Sequence, residues 1–139
     1  MDTMKLFEKT VKEQEIYSGR IIRVHLDDVV LENGSETKRE VVDHPGGVSV
    51  AVLTENNELI LVRQFRYPYK QVLLELPAGK LEQGEDPFEA VKREQREETG
   101  TVGEHYISLG NVYPTPGYCG EIIRLWACLS LIHISEPTR

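Results

Sequence analysis

One short segment carries both a start and a stop signal for a helix, and these two signals constrain the fold more than any other feature of the sequence. Asp86 precedes Pro87, which suits an N-cap residue followed by proline at the first helical position. Glu89, three residues after Asp86, completes a pattern close to a capping box. Gly100 supplies a C-terminal stop. The segment therefore predicts a helix over residues 87–99.

Runs of β-forming residues flank this helix on both sides. Asn33-Gly34 lies between two such runs and is a strong hairpin signal. The first fifteen residues mix Lys and Glu with few apolar positions, so they fit either a flexible arm or an edge strand. The predicted strands cover residues 21–31, 38–43, 48–53, 59–65, 72–76, 106–112 and 122–129. Many strands and one helix predict an α/β or α+β fold, in which a helix packs on a mixed sheet.

Length and charge exclude several classes of protein. The 139 residues fit one domain, and Cys119 and Cys128 are too few for a disulfide framework or a Cys-rich zinc site. A net charge of −7 argues against a non-specific nucleic-acid binder, which needs a basic face. The polar start has no signal-peptide pattern, and the longest apolar runs are far too short to span a bilayer. We therefore expect a cytoplasmic protein with neither a nucleic-acid nor a membrane partner.

The predicted helix is crowded with carboxylates. Glu94, Glu97 and Glu98 stand at i, i+3 and i+4, so they share one face, where an exposed pair of like charges repels by roughly 0.2–0.5 kcal/mol. Arg93 and Arg96 offset part of this repulsion. A divalent cation such as Mg²⁺ would offset more of it, because Mg²⁺ takes carboxylate oxygens and keeps positions for phosphates. The plainer alternative is a solvated acidic face interleaved with Lys and Arg.

The spacing of glycines and charges goes beyond what a solvated face requires. The pattern, called the box below, consists of Gly79, Glu85, Arg93, Glu94, Glu97, Glu98 and Gly100. It resembles the signature of the Nudix hydrolases. Gln95 and Thr101 depart from that signature, because the family prefers an aliphatic residue at both positions. An aliphatic side chain at 95 normally helps to pack the helix on the sheet, so we expect Gln95 to weaken packing more than metal binding.

The resemblance implies a fold, a cofactor and a role for each residue of the box. The fold is a sandwich of mixed and antiparallel sheets with the box helix packed on it. The cofactor is Mg²⁺, with Mn²⁺ as the alternative, and it would screen a diphosphate and lower the pKa of the attacking water. The implied metal ligands are Glu94, Glu98 and the carbonyl of Ala78; the implied catalytic residues are Glu97, Glu98 and Arg93; the residues that shape the box are Gly79, Glu85 and Gly100.

Motifs outside the box resemble the ADP-ribose pyrophosphatase branch of this family. They read VRQFRYP over residues 62–68, LELPAG over 74–79 and PGY over 116–118. By resemblance, the substrate-binding residues are Arg66, Glu75, Pro116 and Gly117. Arg66 suits a pyrophosphate clamp because its planar fork matches phosphate oxygens, and the alternative is a strand-end arginine paired with an acid. Glu75 is otherwise a surface strand residue, and Pro116 otherwise only shapes a loop.

The reaction implied is Mg²⁺-dependent hydrolysis of ADP-ribose to AMP and ribose 5-phosphate. Two alternatives stay open. One is a Nudix hydrolase of another nucleoside diphosphate derivative, such as a nucleotide sugar or a dinucleotide, and the other is a non-catalytic nucleotide- or metal-binding module. The resemblance also implies a homodimer and a single Nudix domain over 1–139, with N-terminal antiparallel strands in 1–45 on the dimerisation and adenosine side and the core in 46–128.

The last residues depart from the branch that the rest resembles. After Trp126-Ala127-Cys128 the branch continues into an acidic loop that often carries a glutamate acting as catalytic base. Residues 129–139 instead read LSLIHISEPTR, which resembles a translated sequencing adapter. We therefore expect an atypical, non-native tail and do not assign Glu136 as the base. The missing loop is the feature that favours a binding module.

Overall fold

The computed structural model of the chain describes residues 5–133, and these form ten strands and one helix. Two compact units are present. The first contains the chain up to Pro45 together with Thr115–Glu121, and the second contains Gly46–Pro114 and the chain from Ile122 onward. A single domain over 1–139, with strands of 1–45 serving dimerisation, stays a prediction.

The first unit is a three-stranded antiparallel sheet. Its strands are β1 (Lys9–Ser18), β2 (Arg23–Val30) and β3 (Glu36–Asp43), in the order β1-β2-β3. The turn between β2 and β3 contains Gly34 at φ +85°, a conformation that glycine adopts without strain, as Asn33-Gly34 predicts. All ten residues of β1 are exposed, whereas β2 buries alternate residues. The N-terminal segment is therefore an edge strand rather than a flexible arm over the residues that β1 covers.

The second unit is built on a five-stranded mixed sheet and a separate hairpin. Its strands are β4 (Gly47–Leu53), β5 (Leu59–Ile60), β6 (Val62–Arg66), β7 (Gln71–Glu75), β8 (Ala78–Lys80), β9 (Thr101–Val112) and β10 (Ile123–His133). The sheet runs β5-β4-β10-β9, β8 also pairs with β4, and only the β4–β10 pair is parallel among these strands. β6 and β7 form the hairpin, so the single strand predicted over 59–65 is divided between two sheets.

The helix α1 (Pro87–Thr99) has the bounds that the sequence predicts. Asp86 Oδ2 accepts a hydrogen bond from the Glu89 N–H at 3.1 Å, and the Gly100 N–H donates to the Arg96 carbonyl at 2.9 Å with Gly100 at φ 69°. The helix packs against β4, β8 and β9. The buried apolar core joins the helix to the sheet and consists of Val48, Val50, Val52, Ala90, Val91 and Cys128.

The burial of Gln95 does not match the expectation that a polar residue at this position weakens the packing of the helix. Its exposed fraction is 0%, so it is as buried as the apolar core residues. A buried amide is tolerated only when its polar atoms are hydrogen-bonded. The partners of Gln95 are side chains on β9 and β10, and they are described with the site below.

The C-terminal residues that the sequence marks as atypical fall partly within the structure. Residues 129–133 extend β10 along β9, with Leu129 opposite His105 and Leu131 opposite Gly103. Residues 134–139, with Glu136, lie outside the described residues, so the non-native tail stays a prediction. Within residues 5–133, no helix has the length and apolar character needed to cross a membrane.

Candidate active site

The carboxylates of α1 lie against the backbone of β8. The Ala78 N–H donates to Glu98 Oε2 at 3.4 Å, which places Glu98 beside the residue whose carbonyl is the predicted backbone ligand. Glu94 is only 4% exposed, and the Nη1 atom of Arg93 donates to its Oε1 at 2.9 Å. Glu97 lies one turn after Glu94 and immediately before Glu98, on the same side of the helix. The structure therefore brings Glu94, Glu97 and Glu98 together on one side of the helix and places Ala78 beside Glu98.

The carboxylate of Glu94 occupies the space where a side chain on residue 79 would be, so glycine suits this position. A Cβ atom added to Gly79 would lie 2.1 Å from Glu94 Cδ and 2.2 Å from Glu94 Oε1. On the neighbouring strand, a Cβ atom added to Gly47 would lie 2.7 Å from the Gly79 carbonyl oxygen. The backbone of β8 is thus held closely between β4 and the carboxylate of Glu94, which fixes where that carboxylate lies.

Arg93 joins the loop before the helix to the carboxylates on the helix. Its Nε and Nη2 donate to Glu85 Oε2 and Oε1 at 3.0 and 3.1 Å, and its Nη1 donates to Glu94 Oε1 at 2.9 Å. Nη1 also lies 3.6 Å from Glu97 Oε2. The hydrogen bonds from Arg93, followed by one from the Glu82 N–H, lower the pKa of Glu85. Arg93 therefore meets an ionised Glu85 in a bidentate pair.

The residues at this site fit a divalent cation. Carboxylate and backbone carbonyl oxygens are the hard ligands that Mg²⁺ and Mn²⁺ prefer. Arg93 contacts three carboxylates, those of Glu85, Glu94 and Glu97, and so holds their oxygens close together. This donor set suits the cofactor that the sequence pattern implies.

Arg66 and Glu75 pair with each other across the β6–β7 hairpin. Arg66 Nε donates to Glu75 Oε2 at 2.7 Å, and Arg66 Nη2 donates to Glu75 Oε1 at 2.5 Å. The hydrogen bonds that Arg66 donates to Glu75 raise the pKa of Arg66, and the charge of Glu98 raises it further. Arg66 is thus a strand-end arginine paired with an acid, and it also lies within electrostatic range of a carboxylate of the box.

Pro116 and Gly117 belong to the first unit, in the segment Thr115–Glu121. Both residues are exposed, and a Cβ atom added to Gly117 would meet nothing within 4 Å. The segment is tied to β3, because the Val42 N–H donates to the Tyr118 carbonyl at 2.7 Å and the Gly120 N–H donates to the Val42 carbonyl at 2.9 Å. Substrate binding by Pro116 and Gly117 stays a prediction.

The sequence analysis missed the partners of Gln95. Gln95 Nε2 donates to Thr101 Oγ1 at 3.1 Å and to Cys128 Sγ at 3.3 Å, and the Tyr106 hydroxyl donates to Gln95 Oε1 at 2.8 Å. Burial raises the pKa of Tyr106 to about 12, so its hydroxyl keeps its proton. The two departures from the family signature, Gln95 and Thr101, are therefore direct partners. The polarity of both residues was the feature of the sequence from which this hydrogen bond could have been predicted.

A second charged cluster lies in the first unit around His25, for which the sequence analysis assigned no role. His25 is 6% exposed, with Nδ1 2.7 Å from Asp27 Oδ1 and Nε2 3.2 Å from Asp43 Oδ2. The hydrogen bond to Asp27 raises the pKa of His25, although burial opposes this. Arg23 donates to Asp43 at 3.0 Å and also contacts Glu13. His25 and Asp27 are two residues apart on a predicted strand, so their side chains point to the same face, and this spacing could have predicted their contact.

Family comparisons agree with this geometry. Residues 43–131 match the NUDIX domain, and residues 8–42 match the nucleoside diphosphate sugar hydrolase N-terminal domain. A solved structure described as an ADP compounds hydrolase aligns with a TM-score of 0.82 at 20% identity, covering 99% of this chain and 74% of that one. This likeness confirms the predicted fold of mixed and antiparallel sheets with the box helix.

Curated relatives resemble the chain over most of its length. The chain is 45% identical over 128 residues to the methanol dehydrogenase activator of Bacillus methanolicus, covering 91% of this chain and 69% of the relative. It is 40% identical over 131 residues to the ADP-ribose pyrophosphatase of Bacillus subtilis (strain 168), covering 94% of this chain and 71% of the relative. Together with the match over residues 43–131, these similarities show that the chain belongs to the Nudix hydrolase family.

Proposed function

We propose that the chain hydrolyses ADP-ribose to AMP and ribose 5-phosphate, in the cytoplasm and with Mg²⁺ as cofactor. The observation that carries the proposal is the position of Glu94 and Glu98 against the backbone of Gly79 and Ala78, with Arg93 holding Glu94 at 2.9 Å. A relative named ADP-ribose pyrophosphatase, 40% identical to the chain, supports this substrate.

Each residue of the box has a role in this proposal. Glu94, Glu98 and the carbonyl of Ala78 would hold Mg²⁺, or Mn²⁺ in its place, and the bound cation would screen the diphosphate and lower the pKa of water. Glu97 and Glu98 are the proposed catalytic carboxylates. Arg93 orients Glu94 and Glu97 through the contacts at 2.9 and 3.6 Å. One phosphorus–oxygen bond of the diphosphate is broken, and water supplies the new oxygen.

Arg66 would bind the diphosphate with the same two nitrogens that now hold Glu75. A diphosphate carries more negative charge than one carboxylate and matches the planar fork of arginine, so it competes with Glu75 for these donors. Glu75 then keeps Arg66 extended and oriented when substrate is absent. Pro116 and Gly117 are likewise proposed as substrate-binding residues.

A nucleotide sugar is the second candidate substrate. The match of residues 8–42 to the nucleoside diphosphate sugar hydrolase N-terminal domain favours it. The chemistry at the box would be the same, because both substrates contain a diphosphate, and only the group beyond the diphosphate differs. A panel of ADP-ribose, nucleotide sugars and a dinucleotide separates these candidates by their kcat/KM.

The test is release of AMP from ADP-ribose with Mg²⁺, with and without a chelator, in the unmodified chain and in two variants. We expect Glu98→Gln to lower metal-dependent release by roughly a hundredfold or more. Glu104→Gln, an exposed glutamate on β9, is the matched control and should retain it. A chain that binds Mn²⁺ but hydrolyses nothing on the panel would instead be a non-catalytic binding module.

A homodimer is the proposed assembly. All ten residues of the edge strand β1 are exposed, and three of its apolar side chains, Val11, Ile16 and Tyr17, are exposed by more than half. An exposed edge strand with apolar side chains is a ready surface for pairing with another chain. Sedimentation of the unmodified chain and of Ile16→Glu tests this: we expect a dimer that the substitution weakens.

A further inference from the structure

We propose that Gln95 is a positioning residue: through a closed ring of hydrogen bonds it fixes the rotation of α1 and so the positions of Glu94 and Glu98. The inference rests on the proposed function, because it concerns the carboxylates proposed to bind the cation. Gln95 itself is fully buried and contacts β9 and β10, so it would act only through the helix.

The ring begins and ends at Gln95. Gln95 Nε2 donates to Thr101 Oγ1 at 3.1 Å, Thr101 Oγ1 lies 2.6 Å from Thr99 Oγ1, and Thr99 Oγ1 donates to the Gln95 carbonyl at 2.6 Å. A hydroxyl has one hydrogen to donate. Because the hydrogen of Thr99 goes to the Gln95 carbonyl, the hydrogen of Thr101 must point to Thr99. The direction of every hydrogen bond in the ring is therefore determined.

A second set of hydrogen bonds, through Tyr106, fixes the carbonyl oxygen of the Gln95 side chain. The Gly103 N–H donates to the Tyr106 hydroxyl oxygen at 3.1 Å, and the Tyr106 hydroxyl donates to Gln95 Oε1 at 2.8 Å. The second amide hydrogen of Gln95 goes to Cys128 Sγ at 3.3 Å. Both donors and the acceptor of the Gln95 side chain are thus engaged, and they join α1 to β9 and β10.

This ring constrains the carboxylates because of where they lie on the helix. Glu94 is the residue next to Gln95, about 100° around the axis, and Glu98 lies one turn further along. Glu94 already lies against Gly79, where a Cβ atom would be 2.1 Å away from Cδ, so a small rotation changes its position relative to β8. Hydrogen bonds weaken steeply with angle, whereas apolar contacts have no direction. An aliphatic residue at 95 would therefore restrain this rotation less.

The experiment measures the affinity for Mn²⁺ alone, without substrate, together with thermal unfolding. Gln95→Met keeps the length of the side chain and removes every hydrogen bond of the Gln95 amide. Tyr106→Phe removes only one of these, together with the bond that the Gly103 N–H donates to the Tyr106 hydroxyl. Val52→Ala, a fully buried core residue outside the ring, is the control for lost stability, and Glu98→Gln is the control for a lost ligand. All affinities are measured at a temperature where each variant is folded.

We expect Mn²⁺ affinity to fall about tenfold in Gln95→Met and about threefold in Tyr106→Phe, whereas Val52→Ala keeps its affinity despite lower stability. If Gln95→Met and Tyr106→Phe both bind Mn²⁺ as the unmodified chain does while Glu98→Gln has lost affinity, the inference is overturned and the proposed function stands. Unchanged affinity in Glu98→Gln would overturn the proposed function itself. Should Gln95→Met fail to fold, Tyr106→Phe decides, because a retained affinity there contradicts the inference.

Discussion

Arg93 holds Glu85 through two hydrogen bonds of 3.0 and 3.1 Å and reaches Glu94 with its remaining nitrogen at 2.9 Å. Glu85 lies in the loop before α1, and Arg93 lies in the middle of the helix. One guanidinium therefore links the loop to a carboxylate of the proposed cation site. We therefore expect the contacts of Arg93 to affect the stability of the protein, the pH dependence of that stability and the binding of a cation at Glu94.

Glu85→Gln is expected to make the protein less stable at neutral pH but not in acid. Because Arg93 lowers the pKa of Glu85, the folded pKa lies below the unfolded value of about 4.3, and the stabilisation is present above that value. It is lost as the pH falls through the folded pKa, where Glu85 becomes protonated. The substitution should therefore cost about 1 kcal/mol of unfolding free energy at neutral pH and progressively less below about pH 4.

Chemical unfolding of both proteins at a series of pH values checks this prediction. Glu82→Gln is the matched control, since Glu82 contributes its backbone N–H rather than its carboxylate to Glu85. If the unfolding free energies of Glu85→Gln and the unmodified chain differ by the same amount at every pH, the stabilisation does not come from an ionised Glu85 paired with Arg93.

Gly79→Ala is expected to weaken binding of Mn²⁺ about tenfold while leaving the protein folded. The added Cβ would lie 2.1 Å from Glu94 Cδ and 2.2 Å from Oε1, both at the end of a flexible side chain. The carboxylate would therefore move before the backbone does, at a cost of about 1–2 kcal/mol in unfolding free energy. Calorimetric titration with Mn²⁺ and thermal unfolding measure the two effects.

Gly120→Ala is the control for this substitution. A Cβ atom at Gly120 would lie 3.8 Å from the nearest atom, the Val42 carbonyl oxygen, which is an ordinary contact. Both stability and Mn²⁺ affinity should stay as they are. If Gly79→Ala and Gly120→Ala lose stability and Mn²⁺ affinity equally, the effect at Gly79 comes from the backbone and not from Glu94.

Local signals predicted the helix and the box, because the residues that define them are close in the chain. Asp86 caps the helix by accepting from Glu89, three residues away, and Gly100 ends it through Arg96. The bidentate Glu85–Arg93 pair likewise spans only eight residues. A reader of the sequence therefore obtains the bounds of α1 and the grouping of the box carboxylates.

Pairings between distant residues were beyond the same reasoning. The run 59–65 has uniform β character, yet it divides because Ile60 pairs with Val52 whereas Val62 pairs with Glu75. Gln95 reads as a defect in packing until Cys128, 33 positions later, supplies one of its partners. These features depend on which strands become neighbours, and the periodicity of one segment does not contain that information.

His25→Gln is expected to lower stability most at low pH. Asp27 raises the pKa of His25 above its unfolded value of about 6.5, so the stabilisation is fully present below that value and is lost as pH rises through the folded pKa. Protonated His25 places a positive charge beside the carboxylates of both Asp27 and Asp43, whereas neutral His25 carries no charge. Unfolding free energies of both proteins between about pH 5 and pH 9 should differ by about 1–2 kcal/mol at the acid end and converge at the alkaline end. Convergence at the acid end instead would show that His25 is neutral in the folded state.

Arg66→Ala is expected to raise the KM for ADP-ribose about tenfold and to change kcat much less, because the lost fork binds substrate and transition state alike. The KM of Arg66→Lys should lie between the values of Arg66→Ala and the unmodified chain, since lysine keeps the charge without the paired donors. Arg63 is the matched control, because it is an exposed arginine three residues earlier on β6 and therefore points to the opposite face of the hairpin. Steady-state kinetics of Arg66→Ala, Arg66→Lys and Arg63→Ala separate the outcomes. Equal rises in KM for both alanine variants would indicate a general effect of positive charge, whereas an unchanged KM in Arg66→Ala would leave Arg66 as only the partner of Glu75.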